Sequence, residues 1–227
     1  MHSPGVCGAI LATGSPVGRG STPDQSSTLK QTSMPAQSRA EALGALIDVL
    51  HADTEIVLIA AGDDADALAP AVWARAGYLV QLAPGTSQAD ALRALLQDVL
   101  NRGRDAVLVT TLDGPALTAE TVRRMVAEYL EAGDEVWAVV PEALIAKAVT
   151  SESGAPESLA PRSVTQDSET QDLQTQPSGP KSGPMLLGRR MIELFLRGRQ
   201  WRTAEELLTT HRDHVRALKF GSQERSV

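Results

Sequence analysis

The stretch Asp105–Gly133, DAVLVTTLDGPALTAETVRRMVAEYLEAG, passes through three regimes of chain geometry. Asp105–Leu112 is an apolar run rich in branched residues, the signature of a strand buried on both faces. The turn formers of LDGP then break it. Thr118 and Thr121 frame the start of a helix running through Ala132, with Thr118 as its cap. A strand that hands over to a helix through a short turn is half of a parallel crossover unit.

The same alternation extends in both directions. Upstream, Val6–Ala12 is a short apolar run read as the first strand. Ser38, with Glu41 three residues later, forms a capping box ahead of Leu43, Leu46, Ile47 and Leu50, which repeat at helical spacing. Glu55–Ala61 is a strand ended by Gly62, Asp64–Ala76 a helix, and Tyr78–Leu82 a third strand. Ser87 caps a helix to about Asn101, with Leu92, Leu95, Leu96, Val99 and Leu100 on one face. Downstream, Glu135–Val140 reads as a fifth strand and GPMLLG as another. Helices over Arg189–Leu196 and Thr203–Thr210 and a strand near His214–Phe220 complete the pattern.

Continuous apolar strands separated by helices predict an α/β fold of three layers, with a doubly wound, mostly parallel sheet between helices. We expect one domain over residues 1–227, carrying a long polar loop at 15–37 and a disordered insertion at 148–183. The insertion is polar, aromatic-free and rich in Ser, Gln, Pro and Glu, too poor in apolar surface to offset the entropy of ordering.

The chain has 227 residues and a net charge of −7, which argues against a broad nucleic-acid surface. Its one cysteine, Cys7, excludes an internal disulfide and fits a reducing cytoplasm; inside an apolar run it reads as a small buried hydrophobe. No segment has the length of a membrane span, so the chain is read as soluble and cytoplasmic. Trp73, Trp137 and Trp201 are read as packing residues, and His51, His211 and His214 as surface residues. Asp63, Asp64 and Asp66 are read as carboxylates favoured at a helix start.

Ligands of open parallel sheets bind beyond the carboxyl ends of the strands. That rule selects the loops after Ala12 and after Leu112. The first, within VCGAILATGSPVGRG (Val6–Gly20), matches neither common phosphate loop. Gly18 and Gly20 lack the third glycine of a dinucleotide fingerprint, and counting from Gly14 puts Arg19 where a P-loop needs glycine.

The segment instead resembles the MobA-like nucleotidyltransferases, which begin with a strand and then L-A-A-G-x-S-x-R-M-G-x-x-K. Leu11, Ala12, Thr13 and Gly14 align with LAAG except that Thr13 replaces an alanine, and Gly20 falls on the later glycine. Asp113 and Pro115 fall on the family's G-D-Q-P-x-[LV]-T motif, with Thr118 at its threonine. Ala83–Leu100 is similar to the family's segment near the bound base, and Lys181–Leu196 to G-H-P-V-L-L-G-R-R. The chain departs from the pattern at Gly18 and Pro23, where the family has arginine and lysine, at Gly114 for glutamine and at Gly183 for histidine. It also lacks a second aspartate in RGRQWRTAEELL, where Glu205 and Glu206 read as a solvated helix face.

The resemblance implies transfer of CMP or GMP from CTP or GTP to a phosphorylated acceptor such as molybdopterin, with release of pyrophosphate and with Mg²⁺ as cofactor. It implies Asp113 as the catalytic metal ligand; its other reading is a turn-stabilising aspartate. Leu11, Ala12, Thr13, Gly14, Arg19 and Gly20 are the expected nucleotide-binding loop, and Lys30 the nearest lysine able to replace the missing one. The departures leave a second reading open: a catalytically impaired relative that binds a nucleotide or a protein partner.

Overall fold

The computed structural model describes residues 5–13, 36–145, 183–198, 201 and 203–220. The predicted loop 15–37 and insertion 148–183 fall almost entirely outside these residues. At their edges, α-helix begins at Ala36 and Gly183 is among the described residues.

Among the described residues, a seven-stranded sheet runs in the order β3-β2-β1-β4-β6-β5-β7. Its strands are β1 (Val6–Leu11), β2 (Val57–Ala61), β3 (Tyr78–Gln81), β4 (Ala106–Thr111), β5 (Ala138–Pro141), β6 (Met185–Gly188) and β7 (Val215–Leu218). β1 pairs in parallel with β2 and β4, and β2 with β3. β6 is antiparallel to β4 and β5, and β7 is parallel to β5. The helices are α1 (Ala36–His51), α2 (Ala65–Trp73), α3 (Gln88–Asn101), α4 (Ala119–Ala132), α5 (Arg189–Arg197) and α6 (Ala204–Thr210).

The period of two along each strand divides the core into two layers. Val6 and Ile10 of β1, Val57 and Ile59 of β2, and Ala106 and Leu108 of β4 pack with α1, α2 and α4. The alternate residues Cys7, Ala9, Leu58, Val107 and Val109 pack with α3, α5 and α6. With helices on both faces, the chain has the three-layer α/β/α fold that its apolar strands predict. Cys7 is buried as expected, and burial pushes its thiol pKa up to about 12, so it is inert at ordinary pH.

Ser87 and Thr118 cap as predicted: each side-chain oxygen accepts the N–H three residues on, from Asp90 and Thr121. Other boundaries move for local reasons. α1 starts two residues before Ser38, so Ser38 lies inside the helix. α2 stops at Trp73, short of the expected Ala76, because Ala76 adopts φ 53° and the N–H of Gly77 bonds back to Val72 O. β5 begins at Ala138, since Gly133–Glu135 form a 3₁₀ turn after α4. Trp137 and Trp201 pack against the core, but Trp73 is 70% exposed, against the packing role expected of it.

Gly188, the last residue of β6, lies against Tyr129. A Cβ there would sit 2.6 Å from the phenol oxygen, too close for a real contact. Gly188→Ala is therefore expected to cost about 1–3 kcal/mol in denaturant unfolding, with part recovered by adding Tyr129→Phe.

Candidate functional site

The parallel strands β3, β2, β1 and β4 end flush. The N–H of Leu82 donates to Ala61 O, that of Ala12 to Ala60 O, and that of Leu112 to Leu11 O, all within 3.0 Å. The segments leaving these strands therefore emerge side by side. Because α1 follows β1 and returns across the sheet, its first turn lies over the same edge.

Asp113 follows β4 in a turn closed by the N–H of Gly114 on Thr111 O at 3.1 Å. Asp64 follows β2 and occupies the N-cap position of α2, yet its carboxylate makes no capping bond. Both carboxylates instead meet Arg39, the fourth residue of α1. Its Nη1 lies 3.2 and 3.3 Å from the two Asp113 oxygens, and its Nε 3.3 Å from Asp64 Oδ2. The Arg39 side chain is 16% exposed, whereas those of Asp64 and Asp113 are close to half exposed. Its Nη2 and Nε are buried and make no hydrogen bond among the described residues, the Nε approach to Asp64 being an ion pair.

Three charged groups from three elements thus share one point at the carboxyl edge. Among the described residues, two carboxylates against one guanidinium leave an excess negative charge at this point. The N-terminal dipole of α2 offsets part of it beside Asp64. Carboxylate oxygens at an exposed rim are hard donors of the kind Mg²⁺ or Mn²⁺ takes, and such ions keep waters and phosphate oxygens as their remaining ligands. Among the described residues, no group of three or more His, Cys, Asp or Glu side chains is gathered to hold a metal.

Of the residues expected from sequence, Asp113, Leu11, Ala12 and Thr13 come to this edge. Leu11 and Ala12 bury their side chains in opposite core layers, and the ladder uses the Leu11 carbonyl and the Ala12 N–H; Thr13 sits half-buried at the rim. Gly14, Arg19, Gly20 and Lys30 lie outside the described residues. Sequence reasoning missed Arg39 and treated Asp64 only as a helix-start carboxylate. The crossover topology was the available signal for Arg39: a helix following a strand begins where that strand ends.

The β3–α3 loop borders the same edge. Thr86 donates its hydroxyl to Ala83 O at 2.6 Å, and Gly85 takes φ 73°, a left-handed conformation that favours glycine.

A family model, the MobA-like NTP transferase domain, matches residues 36–215. The chain belongs to this family. The matched region holds Arg39, Asp64 and Asp113 and starts after the glycine loop, so the likeness of Leu11–Gly20 to the family's opening loop lies outside it. No curated protein sequence matches the chain.

Solved structures of the same architecture include Rv0371c of Mycobacterium tuberculosis H37Rv in complex with manganese. It is 18% identical, with a TM-score of 0.54 over 96% of this chain and 88% of that one. A 4-diphosphocytidyl-2C-methyl-D-erythritol synthase from Anaerococcus prevotii is 14% identical, with a TM-score of 0.54 over 96% and 87%. A CMP:2-keto-3-deoxy-manno-octonic acid synthetase complexed with CTP is 14% identical, with a TM-score of 0.52 over 95% and 90%. At these identities the likeness establishes the three-layer fold. No helix among the described residues is long and apolar enough to cross a membrane.

Proposed function

We propose that this chain is a cytoplasmic nucleotidyltransferase. It takes CTP or GTP with a divalent cation at the carboxyl edge of β1–β4 and transfers CMP or GMP to a phosphorylated acceptor such as molybdopterin. The observation that carries this reading is the meeting of Asp64, Asp113 and Arg39 at that edge in a member of an NTP transferase family. The CTP complex of one structural relative and the manganese complex of another support a nucleotide donor and a divalent metal.

In the transfer, an acceptor phosphate oxygen forms a bond to the α-phosphorus while the bond from that phosphorus to the bridging oxygen breaks, and pyrophosphate leaves. Both reactants are anions, so charge neutralisation and alignment carry most of the catalysis. Asp113, with Asp64 beside it, would hold the Mg²⁺. When bound, the ion neutralises the phosphates and polarises their oxygens. Arg39 keeps the two carboxylates from repelling each other when no metal is present. The β3–α3 loop, with Thr86 and Gly85, flanks the position for the base.

A second reading has its own support. Both oxygens of Asp113 are engaged by a protein cation, as suits a relative that binds nucleotide or a protein partner without turning over. Calorimetric titration with CTP and GTP, each with Mg²⁺, followed by a pyrophosphate-release assay with molybdopterin and a panel of sugar phosphates, separates the two. Binding with release establishes the transferase. Binding without release on any acceptor favours the second reading, and no binding of either nucleotide overturns the first.

A further inference from the structure

The family loop's arginine and lysine positions are occupied here by Gly18 and Pro23. Among the described residues, a triphosphate approaching this edge would meet the Asp64 and Asp113 carboxylates with Arg39 between them. Phosphate oxygens arriving there need a cation to face them, and Arg39 has the placement and chemistry for that part.

A guanidinium has five N–H donors in a fixed planar fork. Nε and Nη1 of Arg39 face Asp64 and Asp113. Nη2 and Nε are both buried and make no hydrogen bond among the described residues, and Nε keeps its ion-pair contact with Asp64 at 3.3 Å. Buried donors in native proteins are nearly always satisfied, so an orphaned one calls for an explanation. Two carboxylates from different loops also fix the plane of the fork, so little side-chain freedom remains to be lost when an anion binds. A carboxylate has four lone-pair sites, so Asp113 can hold Arg39 and still offer oxygen to a metal.

We infer that Arg39 is the phosphate-recognising cation of this site: its Nη2 donates to polyphosphate oxygens of the nucleotide while Asp64 and Asp113 hold the fork in place. This inference rests on the proposed nucleotide site but assigns its charge recognition to a helix residue that lies after the glycine loop.

The test measures binding of Mg·CTP, Mg·GTP, inorganic tripolyphosphate with Mg²⁺, and the free nucleosides cytidine and guanosine. The proteins compared are the wild type, Arg39→Gln, Arg39→Lys and the control Arg75→Gln. Arg75 pairs with Asp48 of α1 and lies outside the site.

Arg39→Gln is expected to weaken nucleoside triphosphates and tripolyphosphate alike by about ten- to a hundredfold, the worth of one charge-assisted hydrogen bond. Nucleoside affinity stays within twofold. Arg39→Lys regains part of the loss, and Arg75→Gln matches the wild type. Unchanged tripolyphosphate binding in Arg39→Gln overturns the inference, as does an equal loss of nucleoside binding or the same loss in Arg75→Gln. Should Arg39→Gln fail to fold, Arg39→Lys decides, since it keeps the charge but has no Nη2: weakened tripolyphosphate binding supports the inference and wild-type binding refutes it. If the wild type binds tripolyphosphate through Arg39 but no nucleotide, the inference stands and the transferase reading falls. If the wild type binds neither, both fall.

Discussion

Asp113→Asn is expected to abolish Mg²⁺-dependent nucleotide binding at working concentrations and to reduce any nucleotidyl transfer by a hundredfold or more. A metal acting on phosphoryl chemistry contributes several kcal/mol, and about 1.4 kcal/mol corresponds to tenfold. The substitution keeps the side chain's size and removes its charge. Its effect on stability should be modest, because the Asp113 carboxylate is about half exposed and asparagine keeps an oxygen able to accept from Arg39.

The informative contrast is between binding with metal and binding without it. With Mg²⁺, loss of the carboxylate removes a ligand, and affinity falls. In EDTA, the same substitution removes a negative charge beside Arg39, so tripolyphosphate should bind as well as to wild type or better. If Asp113 served only as an anchor for Arg39, affinity would move in the same direction under both conditions. Titration calorimetry of wild type and Asp113→Asn with CTP, GTP and tripolyphosphate, with Mg²⁺ and with EDTA, measures both arms. Wild-type affinity for the Mg²⁺ complexes in the variant would remove Asp113 from the metal site.

Why Asp113 was legible in the sequence while Arg39 was not is a matter of range. Asp113 follows an unbroken apolar strand and precedes a capped helix, so local patterns alone place it at a strand's carboxyl end. Arg39 reaches the same point from 74 residues away, across a parallel pairing that no local periodicity encodes. In its own segment it is an ordinary helix cation, and Asp64 an ordinary helix-start carboxylate. Strand direction is hidden for a similar reason. MLLG is apolar whichever way it runs, so its antiparallel place between β4 and β5 emerges only from the assembled sheet. Helix starts with a capping oxygen, at Ser87 and Thr118, were placed correctly. At Gly133 a left-handed glycine follows the correctly placed end of α4, whereas at Ala76, where an alanine takes that conformation, the end of α2 was misplaced.

The largest stability effect is expected away from the site, at Phe195 on α5. Its side chain is fully buried in the layer formed by α3, α5 and α6. Arg93 of α3 lies over its ring, 4.9 Å from the centroid, and donates to Trp201 O at 2.7 Å, so the ring underlies the cation that ties α3 to the chain after α5. Phe195→Ala removes the ring, leaves a cavity and takes away the cation–π contact. The cost is expected at about 3–5 kcal/mol, a large part of the 5–15 kcal/mol typical of a domain. In a chain of this size that corresponds to a fall in Tm on the order of 10 °C. Phe195→Leu should cost less, since it refills part of the volume. Denaturant melts of the three proteins measure the series, and a cost below about 1 kcal/mol for the alanine variant would show that the layer repacks freely. Arg39 stands on α1, in the opposite helical layer, so the molecules of Phe195→Ala that remain folded should bind Mg²⁺ and nucleotide with wild-type affinity. Each ligand then raises Tm through its occupancy of the native state, as it does in the wild type. Stability lost with affinity kept would separate the scaffold from the chemistry at its edge; affinity lost in proportion to stability would mean that the two helical layers are coupled through the sheet.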